Sequence, residues 1–418
     1  MSDPVGSAAP CADAASACEG TGPAGGSTGQ SGRLRRQRCR PRIATRGSSG
    51  HCLLGFLLIW LVASGCVTSR MAAKRIVEAP NHHDSAGWDR QISSMWRLFQ
   101  TFQTNIVELK TNAPLVDVTI AVGPPGAGIR AIEMPPQDYH VKFFGRVDAA
   151  PHGGRTMTFF MTLETNSAPP FTPPNPPATI FVLHGYMLSK ETMAPWAYLL
   201  AQAGYRVILL DLRGHGQSTG DTVSYGKYET SDLSQVLDYL QGHGLCDKSV
   251  GVLGYSYGAT LALHWAAHDG RVRAVAAIAP YNHPEEAFVR LCRELKIPIT
   301  RRAAQKAVEL AAARLDIQWA DWSGESAIGQ VRAPVLLIGG GKDTICPPAD
   351  ILALQKAAGG EAKTIQIPIA DHVVLPLWLQ EIADPVKAWF HAHMDCGLSS
   401  AAPVEEEAAA AGSVAGGE

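Results

Sequence analysis

Short apolar runs alternate with longer, helix-length segments through the second half of the chain. The runs are four to six residues long and rich in Val, Ile, Leu and Ala, and they occupy residues 179–183, 205–210, 249–253, 275–278, 334–338 and 364–367. Polar and apolar residues recur at helical spacing between them, over residues 190–203, 229–241, 257–267, 351–358 and 377–393. This alternation is typical of parallel strands joined by crossover helices. The pattern therefore predicts one doubly wound, mostly parallel α/β domain.

An insert with a helical pattern separates the fourth and fifth predicted strands. It spans residues 281–330 and carries two amphipathic helix candidates, 284–295 and 300–315. The apolar positions of these helices are Phe288, Val289, Leu291, Leu295, Val308, Leu310 and Leu315. They either face a bound apolar group or pack on the domain, since a helical stripe alone does not show what it covers.

Composition divides the rest of the chain into flanking segments. Residues 1–66 form a Gly-, Ser- and Ala-rich leader that ends in a signal-like sequence, and residues 67–135 form an N-terminal extension. The α/β domain is predicted to span residues 136–395. Residues 396–418, rich in Ala, Gly and Glu, are predicted to be a disordered tail.

Weaker patterns precede the first core strand. Residues 88–109 resemble a helix, and residues 116–122, 139–146 and 156–164 resemble strands. The proline-rich stretch 168–177 has few backbone donors to offer a sheet and is predicted to be a surface connection.

Charge and cysteine content exclude some classes of partner. The chain has 418 residues with Lys+Arg 36 and Asp+Glu 38, a net charge of −2, so no global field draws it to nucleic acid. Cys246, Cys292, Cys346 and Cys396 form no CxxC pair and have no histidine at metal-ligand spacing, so no metal site is predicted. These thiols are expected to be isolated and buried, with one or two disulfides as the alternative.

The N-terminal region has the order of an export signal. Seven arginines between residues 33 and 46 precede an apolar run at 53–63, which is shorter than a membrane-spanning helix requires. The run leads into Ala63-Ser64-Gly65-Cys66, which resembles a bacterial lipobox, so Cys66 is predicted to be acylated and to become the mature N-terminus. An uncleaved anchor, ordinary secretion, and a cytosolic protein that starts at Met71 are the alternatives.

The predicted location is the bacterial cell envelope. Val67 follows the cysteine where an inner-membrane retention signal would often place Asp, so the outer membrane of a two-membrane cell is favoured. On this interpretation the lipid anchors the protein to a membrane, and residues 67–135 act partly as a spacer that lifts the α/β domain from the surface.

A G-x-S-x-G pentapeptide stands between a predicted strand and a predicted helix. A serine projected from such a tight turn needs neighbours without Cβ atoms, and Gly254 and Gly258 flank Ser256 in these places. The following helix begins at once, so the backbone N–H of Tyr257 points to where an oxyanion would form. The pattern predicts that Ser256 is a nucleophile.

Two further residues complete the chemistry that a serine nucleophile requires. A base must take the hydroxyl proton, and an acid must orient the base. Asp343 and His372 each follow a predicted strand in the expected chain order, and we predict that they are the acid and the base. Gly185 follows the first core strand and permits a turn that aims the Tyr186 N–H at the oxyanion. The weaker competitors are Asp350, Asp371, His268 and His391.

Five motifs in order resemble the α/β-hydrolase superfamily. They are His184-Gly185, Asp211-Leu-Arg-Gly-His-Gly-Gln-Ser218, Gly254-Tyr-Ser-Tyr-Gly258, Gly341-Lys-Asp343 and Asp371-His372. The nearest group contains monoacylglycerol lipases, esterases and serine aminopeptidase-like proteins, and the resemblance covers about residues 135 to 395. It implies an α/β-hydrolase fold with the helical insert as a lid, and no metal or organic cofactor. It also implies that Arg213 and His215 brace a loop beside the site.

The expected activity is hydrolysis of a small-molecule carboxylic ester through an acyl-enzyme. A serine nucleophile forms an acyl-enzyme, and an alkoxide leaves with less protonation than an amine needs. A serine aminopeptidase or amidase with the same triad is the alternative, for which Glu285, Glu286 or Glu294 would bind a substrate amine. A non-catalytic surface interaction protein is the alternative from another class. The sequence leaves the acyl group, the alcohol and the oligomeric state open.

Overall fold

An eight-stranded sheet organises the part of the chain that the computed structural model describes, which is residues 69–80, 115–137, 139–149, 155–165 and 178–394. Its strands are β1 Val116–Val122, β2 Ala127–Met134, β5 Ala178–Leu183, β6 Arg206–Leu210, β7 Ser249–Tyr255, β8 Val272–Ile278, β9 Val335–Gly340 and β10 Ala362–Ile367. They lie in the order β1-β2-β6-β5-β7-β8-β9-β10. The β1/β2 and β2/β6 pairs are antiparallel and the others are parallel, which confirms the six predicted core strands.

Helices cover the sheet. They are α1 Ala194–Gln202, α2 Glu229–Gly242, α3 Tyr257–His268, α4 Pro284–Glu294, α5 Arg301–Leu315, α6 Gly324–Ile328, α7 Pro348–Ala357 and α8 Leu379–His393, with 3-10 turns at Lys190–Met193, Trp319–Trp322 and Leu375–Leu377. All six residues of β5 are buried, so side chains on both faces of this strand are covered. The doubly wound α/β fold is therefore confirmed.

The predicted insert forms α4, α5 and α6 between β8 and β9. The α5 helix begins where the Thr300 hydroxyl accepts a hydrogen bond from the Ala303 N–H, as a favourable N-cap does. Val308 and Leu315 on this helix are buried in the hydrophobic core. These two apolar positions therefore pack on the domain.

Two more strands form a separate sheet. Strand β3, Tyr139–Ala149, pairs antiparallel with β4, Arg155–Thr165. Both were expected from their β-like sequences, with slightly shorter bounds.

The predicted boundary at residue 135 is wrong, because residues before it belong to the main sheet. Strands β1 and β2 form a hairpin, and β2 pairs with β6. A helix over residues 69–77 also buries Ala73 and Ile76 in the core. The spacer interpretation is therefore wrong for residues 69–79 and 116–134, since they pack within the domain instead of lifting it.

Several sequence predictions lie outside the described residues. These are the leader and Cys66, the helix at 88–109, the proline-rich connection and the C-terminal tail. Within the described residues, no helix is both long and apolar enough to cross a bilayer. Cys246, Cys292 and Cys346 are free and buried, as expected for isolated thiols.

Candidate active site

The three residues predicted to form a triad follow the carboxyl ends of strands. Ser256 comes directly after β7, Asp343 follows β9, and His372 follows β10. Because these strands are parallel, their carboxyl ends meet at one edge of the sheet. The sequence therefore places all three side chains where ligands bind in open α/β sheets.

Ser256 occupies a strained turn between β7 and α3. Its φ of 52° and ψ of −111° lie outside the regions that L-residues commonly adopt. Glycine is needed on either side because the backbone is close. A Cβ at Gly254 would lie 2.2 Å from the Gly258 carbonyl oxygen, and one at Gly258 would lie 2.6 Å from the carbonyl oxygens of Leu183 and His184.

A chain of hydrogen bonds joins the three side chains. Nε2 of His372 lies 3.0 Å from Oγ of Ser256, and Nδ1 lies 2.7 Å from Oδ2 of Asp343. The carboxylate accepts a hydrogen bond, so the proton belongs on Nδ1 and Nε2 is free to accept the serine proton. Oδ1 of Asp343 accepts the backbone N–H groups of Ile345 at 2.8 Å and Cys346 at 2.7 Å, which fixes the carboxylate.

Tyr186 and Tyr257, the two predicted oxyanion donors, lie next to each other. Their ring centroids are 5.9 Å apart, and both residues line the same cavity as Ser256. Tyr257 opens α3, where the first N–H groups of a helix have no partner within it. Tyr186 lies in the turn after β5 that the Leu188 N–H closes on the Gly185 carbonyl at 3.1 Å.

The cavity above Ser256 has a volume of about 130 Å³ and is walled by apolar side chains. Phe288 and Leu291 of α4 and Leu295 directly after it, three of the apolar lid positions, contribute to this wall. Val289 lies in a different cavity, and Leu310 is partly buried against the core. Some of the apolar lid positions therefore face the cavity above Ser256, and others pack on the domain.

The lid carboxylates lie elsewhere. Glu286 forms an ion pair with Arg290, and Glu294 accepts a hydrogen bond from the Thr344 hydroxyl at 2.6 Å. Glu285 does not line the cavity either, and none of the described residues that do is acidic. Within the described part of the chain, no carboxylate therefore lies in the cavity wall, where it would bind a substrate amine.

Arg213 and His215 have structural contacts behind the nucleophile. Arg213 donates two hydrogen bonds of 2.6 Å to the buried Asp232 carboxylate. The His215 ring stacks on Tyr257 at 5.8 Å, and burial lowers its pKa to about 3. His184 uses both ring nitrogens, since Nδ1 donates to the Gly185 carbonyl and Nε2 accepts the Leu212 N–H. These groups hold the loops around the site.

The competing acids have other partners. Oδ1 of Asp371 accepts the backbone N–H groups of Val373 and Val374, so this side chain caps the turn that follows it. Asp350 is buried and pairs with Arg290 at 2.8 Å, and burial raises its pKa. Neither is hydrogen-bonded to His372 in the contacts described.

The sequence analysis does not identify one residue that contacts the predicted triad. The Tyr255 hydroxyl donates to the His372 carbonyl at 2.8 Å and thereby holds the histidine loop. Its position before the nucleophile is the only signal in the sequence, and that signal does not indicate its partner.

One group of potential metal ligands occurs in the described residues. Atoms of Asp343, Cys346 and His372 lie within 4.8 Å of one another. Two of these side chains are already paired with each other, and Cys346 is fully buried with its thiol pKa raised by that burial. The geometry fits a proton relay better than a metal site.

Comparisons with known proteins agree with this architecture. A family model described as alpha/beta hydrolase fold matches residues 178–295. The uncharacterized protein YqkD of Bacillus subtilis is 34% identical over 129 residues, but the match spans 30% of this chain and only 42% of YqkD. The thermostable monoacylglycerol lipase of Bacillus sp. (strain H-257) is 25% identical over 50% of this chain and 88% of the lipase.

Esterase YjfP of Escherichia coli is 28% identical, over 52% of this chain and 89% of the esterase. Among solved structures, an esterase of Pyrococcus furiosus matches 67% of this chain and 91% of its own, with a TM-score of 0.48 and 18% identity.

Proposed function

The chain belongs to the α/β-hydrolase superfamily, and from that premise we propose that it is a serine hydrolase of carboxylic esters. The observation that carries this proposal is the hydrogen-bonded series Ser256–His372–Asp343 at the floor of an apolar cavity. The similarity to a lipase and an esterase supports it.

The proposed reaction begins when Oγ of Ser256 attacks the acyl carbon. Its proton passes to Nε2 of His372, and the Asp343 carboxylate stabilises the imidazolium that forms. The backbone N–H groups of Tyr186 and Tyr257 stabilise the oxyanion. When the intermediate collapses, the ester C–O bond breaks, and His372 returns the proton to the leaving alkoxide. Water then opens the acyl-enzyme by the same steps in reverse.

An ester is preferred to an amide for two reasons. The cavity offers an apolar wall for an acyl chain, including Phe288 and Leu291 of the lid. None of the described residues that line it carries a carboxylate, so an aminopeptidase would lack an anchor there for the free amine of its substrate. A non-catalytic role is disfavoured because the three polar side chains already have the geometry that proton transfer requires.

We also propose that an acylated Cys66 tethers the enzyme to a bacterial membrane. The support is the arginine-rich segment, the apolar run and the small residues before the cysteine. Residue 69 already belongs to a helix that packs on the domain, so the proposed tether between Cys66 and the domain is short.

The test is the Ser256→Ala variant. Hydrolysis of p-nitrophenyl acyl esters should fall by at least about 10³-fold, because the nucleophile is lost while the cavity stays. A fluorophosphonate probe should label the parent protein at Ser256 and leave the variant unlabelled. Unchanged ester turnover in a folded variant would refute the proposal. Efficient turnover of aminoacyl-arylamides with negligible ester turnover would favour an aminopeptidase instead.

A further inference from the structure

The helix over residues 69–77 ends against the wall of the active site. Its last carbonyls have no partner within the helix, as at any helix end. Three consecutive carbonyls, those of Arg75, Ile76 and Val77, accept hydrogen bonds from the catalytic domain. We call these three carbonyls the carbonyl row.

The donors to the carbonyl row lie at the site or beside it. The Tyr186 hydroxyl donates to Arg75 at 3.2 Å, across 111 positions of the chain. The Tyr225 hydroxyl donates to Ile76 at 2.9 Å, across 149 positions. The Val223 N–H donates to Val77 at 2.8 Å. Both tyrosines line the cavity above Ser256.

These tyrosines also contact the proposed oxyanion hole. Tyr186 supplies one of its N–H groups, and the Tyr225 ring stacks on the Tyr186 ring at 6.2 Å. Tyr225 meets the ring of Tyr257, which supplies the other N–H group, edge-on at 5.7 Å. The carbonyl row therefore contacts Tyr186 of the proposed oxyanion hole directly. It reaches Tyr257, the other residue of that hole, through the side chain of Tyr225.

The backbone at these positions is strained. Met187, next to Tyr186, has a φ of 62°, and Tyr225 has a φ of 59°. Side chains with a Cβ rarely adopt this left-handed region, and such residues persist where their surroundings hold them. The carbonyl that accepts a hydrogen bond from each tyrosine hydroxyl helps to keep this backbone in the left-handed conformation.

The domain is also shaped to receive this N-terminal segment. The Ala79 N–H donates to the Asp221 carbonyl at 3.1 Å, which continues the attachment beyond the helix. Gly214 has a φ of 70°, and a Cβ there would lie 2.6 Å from Cβ of Ala79. A larger residue at position 214 would push the segment away.

We propose that the carbonyl row positions the oxyanion hole, with Tyr186 and Tyr225 as positioning residues that act through their hydroxyls. This inference rests on the proposed ester hydrolysis. Without the hydroxyl contacts, the strained turn at Tyr186 relaxes and its N–H leaves the place where the oxyanion forms. The substrate still binds in the cavity, so the variants lose stabilisation of the transition state and keep their substrate binding.

The test uses the full chain with Tyr186→Phe, Tyr225→Phe and both together. Each single variant should lower kcat by about 10-fold and the double variant by up to about 100-fold, with KM changed less than about twofold. The pH midpoint of the rate should not move, because the hydrogen bonds of His372 are untouched. Tyr239→Phe, outside the cavity lining, is the matched control and should keep full activity.

Hydrogen exchange gives a readout without turnover. Amides in residues 185–188 should exchange faster in the variants than in the parent protein, while those of β5 keep their protection. If the double variant does not fold, the kcat and exchange rates of the two single variants test the positioning role. If these amides exchange faster in the variants but the parent protein shows no ester turnover, the positioning role is supported and the proposed function is refuted. A kcat within about twofold of the parent, or a rise in KM alone, would overturn the inference.

Discussion

Nε2 of His372 lies 3.0 Å from Oγ of Ser256, although 116 positions separate the two residues in the chain. The loops that carry them follow β10 and β7, and two strands of the sheet lie between these strands. His372 therefore reaches back across the sheet edge, and the hydrogen bond from Tyr255 to its carbonyl holds it there. The contact depends on loop geometry as much as on the two side chains.

The acid of the triad can be separated from its neighbour by two matched substitutions. Asp343→Asn should lower kcat by about 10³- to 10⁴-fold, because an amide at this position no longer stabilises the imidazolium or holds the correct tautomer. Asp371→Asn should keep most of the activity, because its carboxylate contacts backbone N–H groups only. Steady-state kinetics on an acyl ester distinguishes the two. Equal losses in both variants would contradict the assignment of Asp343.

Buried histidines predict a loss of stability in mild acid. Burial lowers the pKa of His184 and His264 to about 4 and that of His215 to about 3. Below about pH 6.5 the unfolded chain binds protons that the folded protein refuses, so acid favours unfolding. The free energy of unfolding should fall as pH drops from about 6.5 toward 4, by up to about 1.4 kcal/mol per pH unit for each histidine.

The measurement is urea unfolding at several pH values. His264→Gln preserves a donor for the Trp322 carbonyl, which Nε2 of His264 contacts at 3.1 Å, but it removes the titration. The slope of stability against pH should become shallower by about one histidine's contribution. The parent protein, measured at the same pH values, is the reference. A slope in the His264→Gln variant that equals that of the parent protein would refute this explanation.

The proposed tether predicts membrane partition. Expressed in a bacterium that processes lipoproteins, the protein should enter the detergent phase, and Cys66→Ala should release it or leave it as an unprocessed precursor. Residue 69 already lies in a helix of the domain, and three chain steps from Cys66 reach only about 10 Å, so the enzyme should stay close to the bilayer. N-terminal sequencing that finds a soluble protein starting at Met71 would contradict the tether and leave the catalytic proposal intact.

The motifs located the residues of the proposed triad because its chemistry depends on local residues. Gly254, Ser256 and Gly258 specify the turn, and the order of strands along the chain led to Asp343 and His372. The carbonyl row carries no such signal. Its acceptors are backbone atoms that every residue has, and its donors lie more than 100 positions away.

Strand β2 shows a different limit of the sequence pattern. Alternation predicts a strand when its inward positions are apolar, but Glu133 occupies a buried position of β2. Arg206 on the neighbouring strand pairs with it at 2.7 Å. A buried glutamate, paired with a partly exposed arginine, thus hides the strand from hydrophobic analysis. Likewise, the apolar stripe of the lid shows which helix face is apolar, but only the fold shows that Phe288 meets the cavity and Val308 meets the core.

The hairpin of β1 and β2 also prevents strand pairing between copies of the chain. Strand β6 has the sequence Arg-Val-Ile-Leu-Leu, its last four residues are buried, and one of its two edges is covered by β2 through pairs such as Met134 with Val207. A fragment that began at residue 136 would leave that edge as a row of unpaired backbone groups beside an apolar strand. Exposed edges of this kind recruit strands from other chains. Such a fragment should aggregate, so the segment that resembles no hydrolase motif is what keeps the β6 edge from pairing with other chains.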